Sequence, residues 1–280
     1  MHVAVNGTRL WVERAGDGPP VLLLHGFPET HRSWDLQVPF LLEHGYSIVR
    51  PDLRGYGRSD RPDDGYEIEN LARDIAALIR ELGLAPVRLV GHDWGGGVAW
   101  ETATRFPELC RSVCVIACPH PVIFGKALRT NRRQMQRSWY IAFFQLPALP
   151  ERWLTKHDGA NIARMFRAGS PGESRTPPEI VEAARSSLSR PGALRGPLAY
   201  YRTAFRSAAR RPPTPDDYPA IPRPVTLIWG EADSCLGTEL MRGSERYAPE
   251  LTTHVVANAG HFVHQESPDV VNRMLLEALA

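Results

Sequence analysis

Apolar and polar positions alternate through the first fifteen residues, and short apolar runs then trade places with stretches of helical spacing. In HVAVNGTRLWVERAG the pair Asn6-Gly7 separates two alternating runs, which predicts a β-hairpin. VLLLHG is apolar throughout and too short for a helix, so it predicts a strand buried on both faces. RSWDLQVPFLLEHG reads as a helix closed by Gly45, and SIVRPDL as the next strand. Leu71, Ile75, Leu78, Ile79 and Leu82 fall on one face of a helix that ends at Gly83. VRLVGHD is again a strand, GGGVAWETATRF a helix stopped by Pro107, and RSVCVIAC a strand. This alternation predicts an α/β fold, a mostly parallel sheet covered by helices on both faces.

The alternation stops near Pro119. From there to about Tyr218 no strong strand run occurs, and helical windows fall at 126–145, 151–168, 177–189 and 193–210. RRPPTPDDYPAIPRP reads as a return linker, after which VTLIWG and TTHVVANAG predict strands and SPDVVNRMLLEALA a closing amphipathic helix. The expected organisation is one α/β core, residues 1–120 and 220–280, interrupted by a helical cap or lid at 121–219. No internal repeat is visible.

Composition narrows the function classes. With 280 residues, 43% hydrophobic and 23% charged, the chain can bury a sizeable core. A net charge of +2 with dispersed arginine, and Lys126 and Lys156 as the only lysines, gives no case for nucleic acid or a membrane partner. No window approaches about 18 consecutive apolar residues, and the N-terminus lacks the pattern of a signal peptide. Cys110, Cys114, Cys118 and Cys235 contain no C-x-x-C pair, so they read as small hydrophobes and not as a metal site. A cytoplasmic protein with no cofactor and no metal is expected, and homo-oligomerisation is left open.

Chemistry gathers at predicted strand ends, where open parallel sheets hold their reactive groups. Four such ends carry polar residues: His25-Gly26-Phe27-Pro28, Gly91-His92-Asp93-Trp94-Gly95, Gly230-Glu231-Ala232-Asp233 and Gly260-His261. The second has the frame of a nucleophile elbow, G-x-D-x-G, with aspartate where serine is usual. An aspartate ahead of a helix is by itself most often an N-cap. The ordered set Asp93, Asp233, His261, each member at a strand end, instead points to nucleophile, acid and base. His264 and Glu231 compete for the last two roles.

HGFPE, DLRGYGRSD, GHDWGG and GHFVHQESP together resemble the α/β-hydrolase superfamily, in its aspartate-nucleophile branch of epoxide hydrolases and haloalkane or haloacetate dehalogenases. The resemblance covers nearly the whole chain. It implies an α/β-hydrolase fold and an ester of Asp93 formed by displacement at saturated carbon, then split by water that His261 activates and Asp233 helps orient. It places the oxyanion donors at the backbone N–H groups of Phe27 and Trp94, each worth on the order of 3 kcal/mol. It also implies a cis Phe27–Pro28 bond.

Opening an epoxide requires a proton donor opposite the nucleophile, whereas a halide needs only weak N–H donors. RSWYIAFFQLPALPE and GPLAYYRTAF resemble the epoxide hydrolase cap and imply Tyr140 and Tyr201 as the donors, with Tyr200 a rival one residue away. Trp94, Trp139 and Phe143 are the expected substrate-binding aromatics, for a small hydrophobic epoxide. The alternative is a dehalogenase on the same triad, with Trp94 and either Trp139 or Trp153 holding halide. Phe27 stands where some haloalkane dehalogenases use asparagine, and Trp94 and Gly97 where fluoroacetate dehalogenases place arginines, which favours the epoxide. A non-catalytic ligand-binding protein is the further alternative, and it predicts a damaged triad.

Overall fold

The computed structural model describes residues 1–170 and 175–280. The opening hairpin joins β1 (His2–Val5) to β2 (Thr8–Ala15) through Asn6 and Gly7. Both turn residues have positive φ, 37° and 75°, as the twist of a two-residue hairpin turn demands. Six further strands follow: β3 (Pro20–Leu24), β4 (Ser47–Pro51), β5 (Val87–His92), β6 (Cys110–Ile116), β7 (Val225–Gly230) and β8 (Leu251–Val256). They form one sheet in the order β1-β2-β4-β3-β5-β6-β7-β8. The β1–β2 and β2–β4 pairs are antiparallel, and all others are parallel.

The parallel strands look uniformly apolar because both of their faces are buried. In β3, Leu22 and Leu24 join one hydrophobic cluster while Val21 and Leu23 join another on the opposite face. In β5 the same division separates Leu89 from Val90.

Before the insertion, three helices cover the sheet: α1 (Val38–Glu43), α2 (Ile68–Glu81) and α3 (Trp94–Arg105). The helix expected over RSWDLQVPFLLEHG is shorter than its pattern. A 3-10 turn at His31–Trp34 precedes α1, because Pro39 near the start of α1 has no N–H to give to the turn before it. Between β6 and β7 run α4 (Pro121–Thr130), α5 (Arg132–Arg137), α6 (Trp139–Phe143), α7 (Leu149–Gly169), α8 (Pro178–Leu188) and α9 (Arg195–Arg210). Among the described residues this insertion contains no strand. The single window at 126–145 is three short helices. Asn131 is extended and its side chain accepts the N–H of Gln134 at 3.2 Å, which caps α5 and ends α4. The backbone of α7 leaves helical geometry at Lys156–Gly159, where His157, Asp158 and Gly159 all have positive φ.

The chain closes with α10 (Val263–Glu266) and α11 (Pro268–Leu279). Residues of α2 and α3 share a cluster with one face of the sheet, and Leu41 of α1 and Val271 and Leu275 of α11 share a cluster with the other. Among the described residues no helix is long and apolar enough to cross a membrane. All four cysteines are free thiols, and Cys110 and Cys114 are buried.

Candidate active site

The carboxyl end of β5 delivers Asp93 into a conformation few residues adopt, φ 48° and ψ −120°, before α3 begins at Trp94. The flanking glycines make that turn sterically feasible. A Cβ on Gly91 would lie 2.2 Å from the carbonyl oxygen of Gly95, and one on Gly95 the same distance from that of Leu24. Although Asp93 holds the N-cap position of α3, its side chain caps nothing. Its Oδ1 instead accepts the Phe27 N–H at 2.8 Å, one of the two expected oxyanion donors, and the Phe27–Pro28 bond is cis. Trp94, the other expected donor, opens α3, so its N–H has no partner within the helix. It makes no hydrogen bond to the carboxylate.

Asp233 follows β7 and His261 follows β8, so neighbouring strands bring the two side chains together. Asp233 Oδ2 lies 2.9 Å from His261 Nδ1, while its Oδ1 accepts the N–H groups of Cys235 and Leu236 at 2.7 and 2.8 Å. A carboxylate can only accept, so Nδ1 carries the proton and Nε2 faces Asp93 Oδ2 at 3.5 Å. The His261 N–H donates to the carbonyl of Gly169 at 2.8 Å, which ties the catalytic loop to the end of α7. Burial works to lower the His261 pKa, but the charge and hydrogen bond of Asp233, helped by Asp93, outweigh it and hold the pKa well above the ordinary value.

The two rivals stand elsewhere. Glu231 is exposed and accepts from Asn258 N–H at 3.4 Å. His264 is fully buried with its pKa held well below the ordinary value by burial, and its ring lies tilted against that of His92 at 4.4 Å.

Sequence reasoning missed Glu29, which lies completely buried beneath the site. Its carboxylate accepts from Gly26 N–H at 2.8 Å, from His92 Nδ1 at 2.7 Å and from Gln265 at 2.5 Å. Burial raises its pKa, yet His92 and these donors overcome that and hold it well below the carboxylate range. His92 Nε2 in turn meets the carbonyl of His261 at 2.9 Å. One network thus fixes the oxyanion loop, the elbow and the histidine loop together. The only hint in the sequence was an acid directly after Phe27-Pro28. Glu29, His92 and His264 have metal-like spacing, as do Asp233, Cys235 and His261. In each group the carboxylate is already engaged by the hydrogen bonds just described.

A cavity of about 560 Å3 opens over Asp93 and Trp94, and Tyr140 of α6 and Tyr201 of α9 line it. Their rings stand 6.0 Å apart, nearly perpendicular. Burial, then Cys235 and the Asp93 and Asp233 carboxylates, push the Tyr140 phenol well up; burial and then Asp93 do the same to Tyr201. Both therefore hold their protons. Tyr200 points away and donates to the carbonyl of Arg54 at 2.8 Å, fully buried.

Two expected substrate contacts need correction. Trp139 is 61% exposed, and neither it nor Phe143 reaches the cavity. The reason is helical phase: Trp139 and Phe143 are four apart on one face of α6, while Tyr140 and Ile141 occupy the other. Trp153, the other candidate halide donor, is likewise outside. The apolar wall comes instead from residues such as Ile68, Phe124, Leu128, Ile141 and Leu236.

Comparison with known proteins adds three kinds of likeness. A family model described as the alpha/beta hydrolase family matches residues 21–274. The AB hydrolase superfamily protein YfhM of Bacillus subtilis (strain 168) is 35% identical over 99% of this chain and 96% of its own. Epoxide hydrolase 4 of Mus musculus is 33% identical over 98% of this chain and 77% of its own. Among solved structures, the Bacillus megaterium epoxide hydrolase in complex with an inhibitor superposes with a TM-score of 0.89 at 30% identity, covering 100% of this chain and 99% of that one.

Proposed function

The chain belongs to the alpha/beta hydrolase family and to the epoxide hydrolases within it, and on that premise we propose that it turns an epoxide and water into a vicinal diol through an ester on Asp93. The observation that carries this reading is the convergence of Tyr140 and Tyr201 on one cavity with Asp93. A carboxylate at one side and two protonated phenols on the walls are what opening a strained C–O bond requires.

The steps follow from which atoms are free. Oδ1 of Asp93 is held by Phe27 N–H, so Oδ2 attacks the epoxide carbon. That C–O bond breaks, and the departing oxygen takes a proton from a tyrosine. Esterification removes the Asp93 hydrogen bond that had helped raise the His261 pKa, and so lets the imidazole give its Nε2 proton to the tyrosinate and act as base when water must be deprotonated. Nε2 takes the proton of a water that attacks Cγ of Asp93. The charge that develops on Oδ1 meets the N–H of Phe27 and, as it grows, that of Trp94. The Cγ–Oδ2 bond then breaks, and the diol leaves with Oδ2 as its alkoxide takes the proton from His261. The second proton of the attacking water, left on the re-formed Asp93 carboxyl, returns to His261 Nε2.

Residues 121–219 act as the cap and 1–120 with 220–280 as the catalytic domain, because the cap supplies both tyrosines and the sheet supplies the triad. The apolar cavity wall suits a small hydrophobic epoxide. Four free thiols fit a reducing, cytoplasmic setting. The dehalogenase alternative keeps Trp94 in the cavity but loses Trp139 and Trp153 as a second halide donor. A non-catalytic receptor has no use for the assembled triad.

The deciding experiment measures diol from styrene oxide and halide from 1-bromobutane, with wild type and Asp93→Ala side by side. Diol from the wild type alone is expected. Halide without diol would move the assignment to dehalogenase.

A further inference from the structure

The small net charge of the chain conceals a strong asymmetry. Positions 121–219 hold 17 Lys and Arg against seven Asp and Glu, while the remainder holds 16 against 24. Many of the insertion's cations lack a counter-charge: among the described residues Arg132, Arg133, Arg152, Lys156 and Arg206 are exposed and form no ion pair.

The same segment exposes large apolar side chains. The Trp139 ring lies tilted against Phe143 at 6.0 Å, and Phe143 meets Trp153 edge-on at 5.7 Å, a continuous aromatic row joining α6 to α7. Leu146, in the turn between those helices, and Leu149, the first residue of α7, are 43% and 53% exposed, and Trp153 39%. On α7 the exposed residues Leu149, Arg152 and Trp153 occupy one helical stripe that ends at the exposed Lys156. On α5 and α6 the exposed Arg132, Met135, Gln136 and Trp139 repeat that spacing.

Tryptophan and leucine exposed among unpaired cations is the composition of a surface that enters the headgroup region of a bilayer. We propose that this outer face of α5 to α7 docks onto an anionic lipid membrane. The aromatic row sinks among the headgroups while Arg132, Arg133, Arg152 and Lys156 meet the lipid phosphates and carboxylates. The other side of α6 carries Tyr140 and Ile141 into the cavity, so docking sets the active site one helix away from a reservoir of apolar molecules. An acidic protein would meet the cations but offers less reason for the exposed tryptophans.

The test is co-sedimentation of the whole protein with vesicles of phosphatidylcholine alone or mixed with phosphatidylserine, at low and high salt. Sedimentation only with the anionic vesicles, weakened by salt, is expected, along with a blue shift of tryptophan emission. Each basic residue near such a surface contributes roughly fivefold, so the double variant Arg152→Glu, Lys156→Glu should partition more than about tenfold less well. Leu149→Ser with Trp153→Ser should also lose binding while keeping melting temperature and turnover of a water-soluble epoxide. Asp93→Ala should bind as the wild type does, which separates this surface from the chemistry. No binding, equal binding to neutral vesicles, or binding untouched by these substitutions overturns the proposal. A dimer in sedimentation velocity that Leu149→Ser, Trp153→Ser dissociates would give the face to a second copy instead.

Discussion

Replacing Tyr201 and Tyr200 by phenylalanine, one at a time, should separate chemistry from folding in two adjacent side chains. Tyr201 lines the cavity with Asp93, and its phenol is the kind of donor that steadies an oxygen gaining negative charge. A hydrogen bond to a charged group is worth ~1.5–3 kcal/mol, so Tyr201→Phe should slow ester formation by roughly 10- to 150-fold with little change in stability. Tyr200 instead donates to the Arg54 carbonyl at 2.8 Å in a fully buried setting. Its loss leaves that carbonyl unpaired at a cost of ~1–3 kcal/mol, or about 2–4 °C of melting temperature per kcal/mol in a chain of this size. Turnover at a temperature where the variant is folded should stay near wild type. Stopped-flow tryptophan fluorescence reads the alkylation step, helped by Trp94 at 5.1 Å from Tyr201, and thermal melting reads stability. If Tyr200→Phe loses alkylation with an unchanged melt while Tyr201→Phe turns over normally, the assignment of the donor pair is wrong.

Other expectations follow from the same geometry. His261→Gln should still form the ester but not split it, so mass spectrometry should show Asp93 carrying one substrate mass; rapid turnover by this variant reassigns the base. A single turnover in heavy-oxygen water should put the label in Asp93 and leave the new diol oxygen unlabelled, and label in the diol would exclude the ester. Buried Asp52 is raised by burial, but the hydrogen bond and charge of His31 at 2.8 Å, with His25 and a backbone N–H, bring it down to about 2. A depressed carboxylate stabilises above its unfolded pKa, so this contribution should be full above about pH 4 and vanish as the pH falls toward 2. Urea midpoints across that window should flatten in Asp52→Asn, and an unchanged slope would remove Asp52 from the account.

Much of this arrangement was legible because its signals are local. The apolar runs of β3 and β5 and the spacing of Leu71 through Leu82 each lie within one element. The triad's order was readable because strand ends and glycines mark where reactive groups gather. What escaped was set by neighbours distant in the chain. Glu29 meets His92 63 positions on and Gln265 236 positions on, and no window of sequence contains either pair. Trp139 and Phe143 looked like cavity residues because they flank Tyr140, yet a rotation of 100° per residue turns adjacent aromatics to different sides of α6. The same rotation separates Tyr200 from Tyr201. The window at 126–145 hid two breaks because the extended backbone at Asn131 leaves hydrophobic spacing intact.

The hydrogen bond from Phe27 N–H to Oδ1 gives the two oxygens of Asp93 different lifetimes. The anchored atom stays with the protein from synthesis to degradation. Its partner departs in each product molecule and is replaced from solvent, so after one cycle it is no longer the oxygen the ribosome installed. If the anchor prevents the carboxylate from flipping, protein recovered after many cycles in heavy-oxygen water carries one heavy atom at Asp93, whatever the number of cycles. A second heavy atom would measure how often that hydrogen bond lets go.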